Sequence, residues 1–230
     1  MAKPHLTHTP TLLLVLLTLL ASGCTSLRTT EPSPANEWQL TKQQAGIDFY
    51  TRPSELGPLP EFKASTVLKV PKGEVMNLLL DFERHPQWVY GCQESEMIAM
   101  ESYTEAYIYQ VTKMPVIKGR DLIMLATTTE DYANGQTIIE LQAAPDYCAN
   151  NSDRDCTAIR AANYVHVQHA RGRFIVTELS EQSTQIDWIQ YVDPAGLVPH
   201  WLVRANLARV PIKSLRQLKA LLESEKAGAK

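Results

Sequence analysis

The stretch Tyr191–Pro211, "YVDPAGLVPHWLVRANLARVP", decides how this chain is read. It joins a stiff turn to a long amphipathic helix. Asp193-Pro194 ends a strand, because proline fixes φ and withdraws a backbone donor. Gly196 allows the chain to reverse. Pro199 suits the first turn of a helix, where a missing N–H costs nothing. Beyond it Trp201, Ala205, Ala208, Ile212, Leu215, Leu218 and Leu222 recur at steps of three and four. That single apolar stripe predicts one helix from Pro199 to about Leu222. Pro211 lies inside the stripe and is expected to kink the helix as it curves over a sheet.

The sheet is read from the alternation upstream. Residues 38–52 form two short strands around Gly46, and residues 62–70 a third. After Pro71, Val75, Met76, Leu79 and Phe82 follow helical spacing, and Pro86 is expected to stop that helix. Further strands are expected at 93–101, 104–113, 117–130, 136–144, 162–168, 172–180 and 184–192, with Asn134-Gly135 a hairpin turn. Strands, a helix, many antiparallel strands and a long helix make an α+β chain, not an alternating βαβ one.

With 230 residues, 44% hydrophobic and 20% charged, the chain can pack one domain behind a leader. A net charge of -3 argues against a basic nucleic-acid footprint, so no nucleic-acid partner is expected. The apolar run Leu12–Leu20 has the length of a signal h-region and is short for a membrane span. Residues 1–23 are therefore read as a signal peptide. The ending Ala21-Ser22-Gly23-Cys24 resembles a bacterial lipobox, although Ala21 stands where Leu is usual. In such signals the cysteine is acylated, which makes Cys24 the expected lipidation site and membrane anchor. Residues 24–37 then serve as the lipidated cysteine and a flexible tether. Thr25 after the cysteine implies the outer membrane, by resemblance to Gram-negative sorting signals. The expected location is the periplasmic side of a bacterial cell envelope. The alternative is an ordinary cleaved signal and a secreted or periplasmic soluble protein.

Cys148 and Cys156 bracket the polar stretch "ANNSDRD", a plausible disulfide hairpin in an oxidising compartment. Cys92 reads as a buried free thiol. His166 and His169 are three apart on a strand and face opposite sides, which argues against a shared metal ion. No nucleophile elbow, phosphate loop or HExxH is present, so no catalytic residue, metal or other cofactor is expected.

Four segments stand in order: "GIDFYTR" from Gly46, "LLLDFERHPQWV" from Leu78, "MPVIKGRDLIM" from Met114 and "YVDPAGLVPHWLV" from Tyr191. Together they resemble the START (StAR-related lipid transfer) domain, a branch of the wider Bet v 1-like superfamily, over about residues 38–225. The resemblance implies a helix-grip fold. A curved antiparallel sheet wraps a long C-terminal helix and encloses a cavity for one lipid or similar hydrophobic small molecule. It also implies a carrier, expected to work as a monomer, with the helix and neighbouring loops as its gate. On that pattern Arg120, Leu122, Met124 and Ala126 point inward. Arg120 then meets a headgroup phosphate or carboxylate, or else forms a structural ion pair with Asp81 or Glu83. Trp88, Tyr107, Tyr109, Trp188 and Tyr191 are expected to line the cavity or to fill core, with Trp201, Ala205, Ala208 and Ile212 facing the cavity from the helix. Asp193, Pro194, Gly196 and Pro199 form the hinge of the gate. Where some sterol-binding members hold an acidic and a basic residue, this chain has Gln110 and Ala126, which leaves the ligand class open. Two other readings compete. A cyclase, aromatase or hydrolase on this fold would need Arg120, Tyr109 or His166 to converge in the cavity. An interaction domain would have a filled core.

Overall fold

The computed structural model describes residues 37–114, 117–151 and 154–228. The expected signal peptide, Cys24 and nearly all of the tether lie outside these residues.

The strands are β1 (Gln39–Gln44), β2 (Ile47–Arg52), β3 (Glu61–Leu68), β4 (Cys92–Ser102), β5 (Glu105–Met114), β6 (Ile117–Asp131), β7 (Gln136–Ala143), β8 (Val165–His166), β9 (Ala170–Ser180) and β10 (Ser183–Val192). They form one sheet in the order β1-β2-β3-β10-β9-β7-β6-β5-β4, antiparallel along that path. The two-residue β8 pairs in parallel with β6. The helices are α1 (Lys72–Leu80), α2 (His85–Trp88), α3 (Tyr147–Asn150), α4 (Arg154–Ala161), α5 (His200–Asn206) and α6 (Arg209–Gly228).

Alternation fixes which face of the sheet is buried. In β3, Phe62, Ala64, Thr66 and Leu68 are buried at every second position. In β10, Thr184, Ile186 and Trp188 follow the same period. Register aligns them into a row: Phe49 faces Ala64, Ala64 faces Trp188, Trp188 faces Phe174 and Phe174 faces Ile139. Ala64, fully buried, is the small member between two large rings. This is the concave face. α6 covers its β2–β3 side and touches α2, while α1 covers β9 and β10.

The opposite face is also buried, beneath β5 and β6. Tyr109, Val111 and Ile123 pack there against Ile159, Cys148 and Cys156. A disulfide joins Cys148 to Cys156 and ties α3 to α4. The sequence predicts a polar hairpin between the two cysteines and a full strand over 162–168. Instead α3 and α4 occupy most of this segment, and only Val165–His166 pairs as a strand.

The C-terminal helix also differs from its expected form. It is two helices, broken at Leu207–Ala208. Pro211 cannot donate to the Leu207 carbonyl, so the ladder cannot run through this point. Pro211 therefore sits in the first turn of α6, where proline is tolerated, and not at a mid-helix kink. Pro199 is the N-cap of α5 and lies one residue before its first turn. Pro86, expected as a helix stop, stands at the start of α2.

Candidate functional site: the concave core and its α5 edge

The floor of the site is aromatic. Trp188 of β10 lies 5.2 Å from Phe174, 5.6 Å from Phe62 and 6.4 Å from Trp88, between ring centroids. Phe49 stacks on Phe62 at 5.8 Å, and His85 meets Trp88 edge-on at 5.1 Å. Edge-to-face pairs at these distances are the favoured geometry for aromatic rings. The His85 Nε2 and the Leu79 carbonyl lie 3.0 Å apart, and burial lowers the pKa of the ring so that it stays neutral. Leu122, Met124 and Ala126 of β6 add an apolar wall to the same cluster.

The roof is α6. Ile212, Leu215, Leu218 and Leu222 are buried at helical spacing. Its far end is clamped. Lys226 Nζ donates to the Lys69 carbonyl and to Gln182 Oε1, each at 2.9 Å, and Arg84 pairs with Glu225. Inside, Ser214 Oγ accepts from the Tyr90 amide at 2.9 Å.

The α5 end is built differently. α5 buries no residue. Arg204 Nη2 donates to the Pro58 carbonyl at 2.7 Å, linking α5 to the loop between β2 and β3. Trp201 is 70% exposed and Leu197 is fully exposed. A surface cleft of about 370 Å³ runs beside this contact, lined in part by Arg52, Pro58, Leu59 and Arg204.

The START domain model matches residues 32–228. The chain belongs to the START domain family. A STAR-related lipid transfer protein of Xanthomonas axonopodis is 25% identical, with a TM-score of 0.69 over 81% of this chain and 98% of that one. Human StAR-related lipid transfer protein 5 shares the fold at a TM-score of 0.71 and 15% identity, over 82% of this chain and 88% of its own. An uncharacterized protein of Pseudomonas aeruginosa is 23% identical across 82% of this chain and 88% of its own. The family and its structural neighbours support a domain that binds a hydrophobic ligand.

Within this START domain the expected lining residues separate into three groups. Leu122, Met124, Trp188 and Ile212 are buried in the concave core, and Ala208 packs partly against it. Tyr107 and Tyr109 are not there. They belong to the opposite face, where Tyr107 meets Tyr147 at a tilt with centroids 4.4 Å apart. Trp201 and Ala205 are exposed on α5, because the break at Leu207–Ala208 takes them out of phase with the buried stripe of α6.

Arg120 contacts backbone carbonyls and forms no ion pair with Asp81 or Glu83. Its Nε donates to the Pro194 carbonyl at 3.1 Å and Nη2 to the Ala195 carbonyl at 3.4 Å, while Nη1 reaches the Lys118 carbonyl. The turn it holds is stiff. Ala195 and Gly196 both have positive φ, at 55° and 68°. Asp193 Oδ1 accepts from the Ala195 amide at 2.9 Å, an Asx turn.

The START domain also carries a polar cluster that sequence reasoning missed as a unit. Tyr109 Oη donates to Asp121 Oδ2 at 3.3 Å, and His166 Nδ1 lies 3.1 Å from Asp121 Oδ1. Desolvation by burial and the Asp121 carboxylate push the Tyr109 phenol up, and the hydrogen bond to Asp121 raises the His166 pKa. Pairing of Asp121 with His166 through the parallel β8 brings them together. Neither distance in sequence nor alternation signals that contact.

Proposed function

We propose that this START domain takes up one lipid-class ligand against the concave face, and that α5 is the edge through which it enters and leaves. The contrast between the two C-terminal helices carries the reading. α6 buries a full stripe and is clamped at its far end, while α5 fully buries no residue, leaves Leu202 and Val203 half-buried, and leans on the 53–60 loop through Arg204. Displacing α5 therefore gives up little buried surface. An apolar ligand gains about 25 cal/mol for each Å² it buries, so ~400 Å² supplies roughly 10 kcal/mol against the costs of association.

Anchored through Cys24 on the periplasmic side of an envelope, such a domain would hold its ligand beside the membrane and carry it into the aqueous gap. The name of the Xanthomonas relative, a lipid transfer protein, supports that role. We assign it no reaction. Tyr109, Asp121 and His166 converge, but on the face away from the concave core. Arg120 is committed to backbone carbonyls.

The test is gentle isolation of the chain from its native membranes, followed by extraction and mass spectrometry. A stoichiometric lipid is expected, together with an acylated Cys24 at the mature N-terminus. A chain carrying no lipid, and taking none up from vesicles, would favour a filled interaction domain.

A further inference from the structure

Among the described residues, three buried side-chain polar atoms find no hydrogen-bond partner: Trp88 Nε1, Trp188 Nε1 and Ser95 Oγ. Ser95 lies on the edge strand β4. The two indoles lie together in the concave core. Their ring centroids are 6.4 Å apart, and Trp88 is fully buried and Trp188 only 5% exposed. A buried indole N–H normally finds an acceptor, and one left without costs about 1–3 kcal/mol. Two such donors in one cluster are costly for a core whose other members could all be apolar. Phenylalanine would fill much of the same space without that cost, as Phe62 and Phe174 do beside them.

We infer that Trp88 and Trp188 are hydrogen-bond donors to an uncharged oxygen of the bound ligand, an ester or amide carbonyl. This rests on the proposed uptake of an apolar ligand at the concave face. The carbonyl is preferred over a carboxylate because the cluster offers no cation to compensate a buried charge. His85 is kept neutral among its aromatic neighbours and uses Nε2 on Leu79. Arg120 is taken by Pro194, Ala195 and Lys118. The ligand class is thus a long apolar chain bearing a neutral carbonyl, and not a free ionised fatty acid.

The experiment uses the full chain with ¹⁵N-labelled tryptophan and three probes of equal chain length: hexadecane, methyl palmitate and palmitate. Trp38, under the Arg52 guanidinium, and the exposed Trp201 serve as internal references. Methyl palmitate is expected to bind roughly tenfold tighter than hexadecane, the worth of about one net hydrogen bond. It should also move the Trp88 or Trp188 indole N–H resonance downfield, and hexadecane should not. Palmitate should bind more weakly than its ester. Trp188→Phe should narrow the ester's advantage while hexadecane still binds, and the wild-type resonances carry the test if that variant folds poorly. Equal binding of ester and alkane with unmoved indoles overturns the inference and leaves the uptake reading standing. Palmitate binding as tightly as the ester overturns the preference for a neutral group. Binding of none of the three removes both readings.

Discussion

Arg120 Nε donates to the carbonyl of Pro194 at 3.1 Å, which ties the start of β6 to the turn leading into α5. Through its carbonyl partners Arg120 holds the frame of the site. Removing it should therefore alter stability and exchange before it alters ligand choice. Arg120→Met is expected to cost about 1.5–3 kcal/mol in chemical denaturation, the usual worth of hydrogen bonds from a charged donor. The same variant should release ligand faster with an unchanged lipid profile. A changed profile at unchanged stability would return Arg120 to the headgroup.

The two C-terminal helices should respond differently to truncation. Leu218 is fully buried on α6, so Leu218→Ala is expected to cost about 2–5 kcal/mol. Trp201, at 70% exposure, should change stability by no more than about 0.5 kcal/mol when replaced by alanine. Paired urea titrations check both. A large loss at Trp201 would mean that α5 is part of the core.

Much of this was legible in the residues. Alternation in β3 and β10, the stripe from Ile212 to Leu222 and the turn at Asp193–Gly196 are local patterns, and each has a local cause. The rest of the fold rests on contacts that are not local. Trp201 and Ala205 share a stripe with Ile212 only if one helix runs unbroken, and the break before Pro211 resets the phase. In β5 both Ile108 and Tyr109 are buried, so alternation cannot tell which face is concave. That choice depends on α3 and α4, which lie 30 or more residues further along the chain. The Arg120 contact depends on a turn still more distant, 74 residues away.

His166 should make stability depend on pH in a direction that can be worked out. Its hydrogen bond with Asp121 raises its pKa above the ordinary 6.5. The imidazolium is then favoured by folding. Its contribution is fully present below about pH 6.5 and is lost as pH rises through the higher folded value. Tyr109 shares the Asp121 carboxylate, and Glu94 also acts on Tyr109. The stability gap between wild type and His166→Gln should therefore be wider near pH 5.5 than near pH 9. His85, whose pKa burial lowers, works in the opposite sense but is present in both proteins and cancels. Thermal melts at the two pH values measure the gap. A gap that widens at high pH would contradict the assignment.

The disulfide belongs to the outer face. Cys148 and Cys156 are eight residues apart, and closing so short a loop is worth roughly 2.5 kcal/mol by chain entropy. Cys148→Ser with Cys156→Ser should lower stability by about that much and leave ligand affinity unchanged. Loss of ligand binding at retained secondary structure would show that the two faces are coupled.

The Gly57 position tests how closely the 53–60 loop is pressed onto the sheet. A Cβ there would lie 2.0 Å from the Tyr191 hydroxyl, and Tyr191 is buried. Gly57→Ala is expected to destabilise by about 1–3 kcal/mol, as overpacking does. The double variant with Tyr191→Phe should recover part of that loss, because it removes the hydroxyl clash but keeps the ring carbon 3.1 Å from the new Cβ. No recovery would place the strain elsewhere.

On the proposed function, ligand passes through the α5 edge. Arg204 on α5 and Pro58 on the facing loop already meet through a hydrogen bond of 2.7 Å. Cysteines at both positions, bridged by a short bis-maleimide, would pin that edge shut. Cys92 is buried, with its thiol pushed up to about 11, so the reagent selects the engineered pair. The decisive measurement is the exchange rate of a fluorescent fatty ester between vesicles and the protein, before and after bridging. Exchange should slow by at least tenfold in the bridged protein, with ligand already inside retained. Exchange at the unbridged rate would contradict the account.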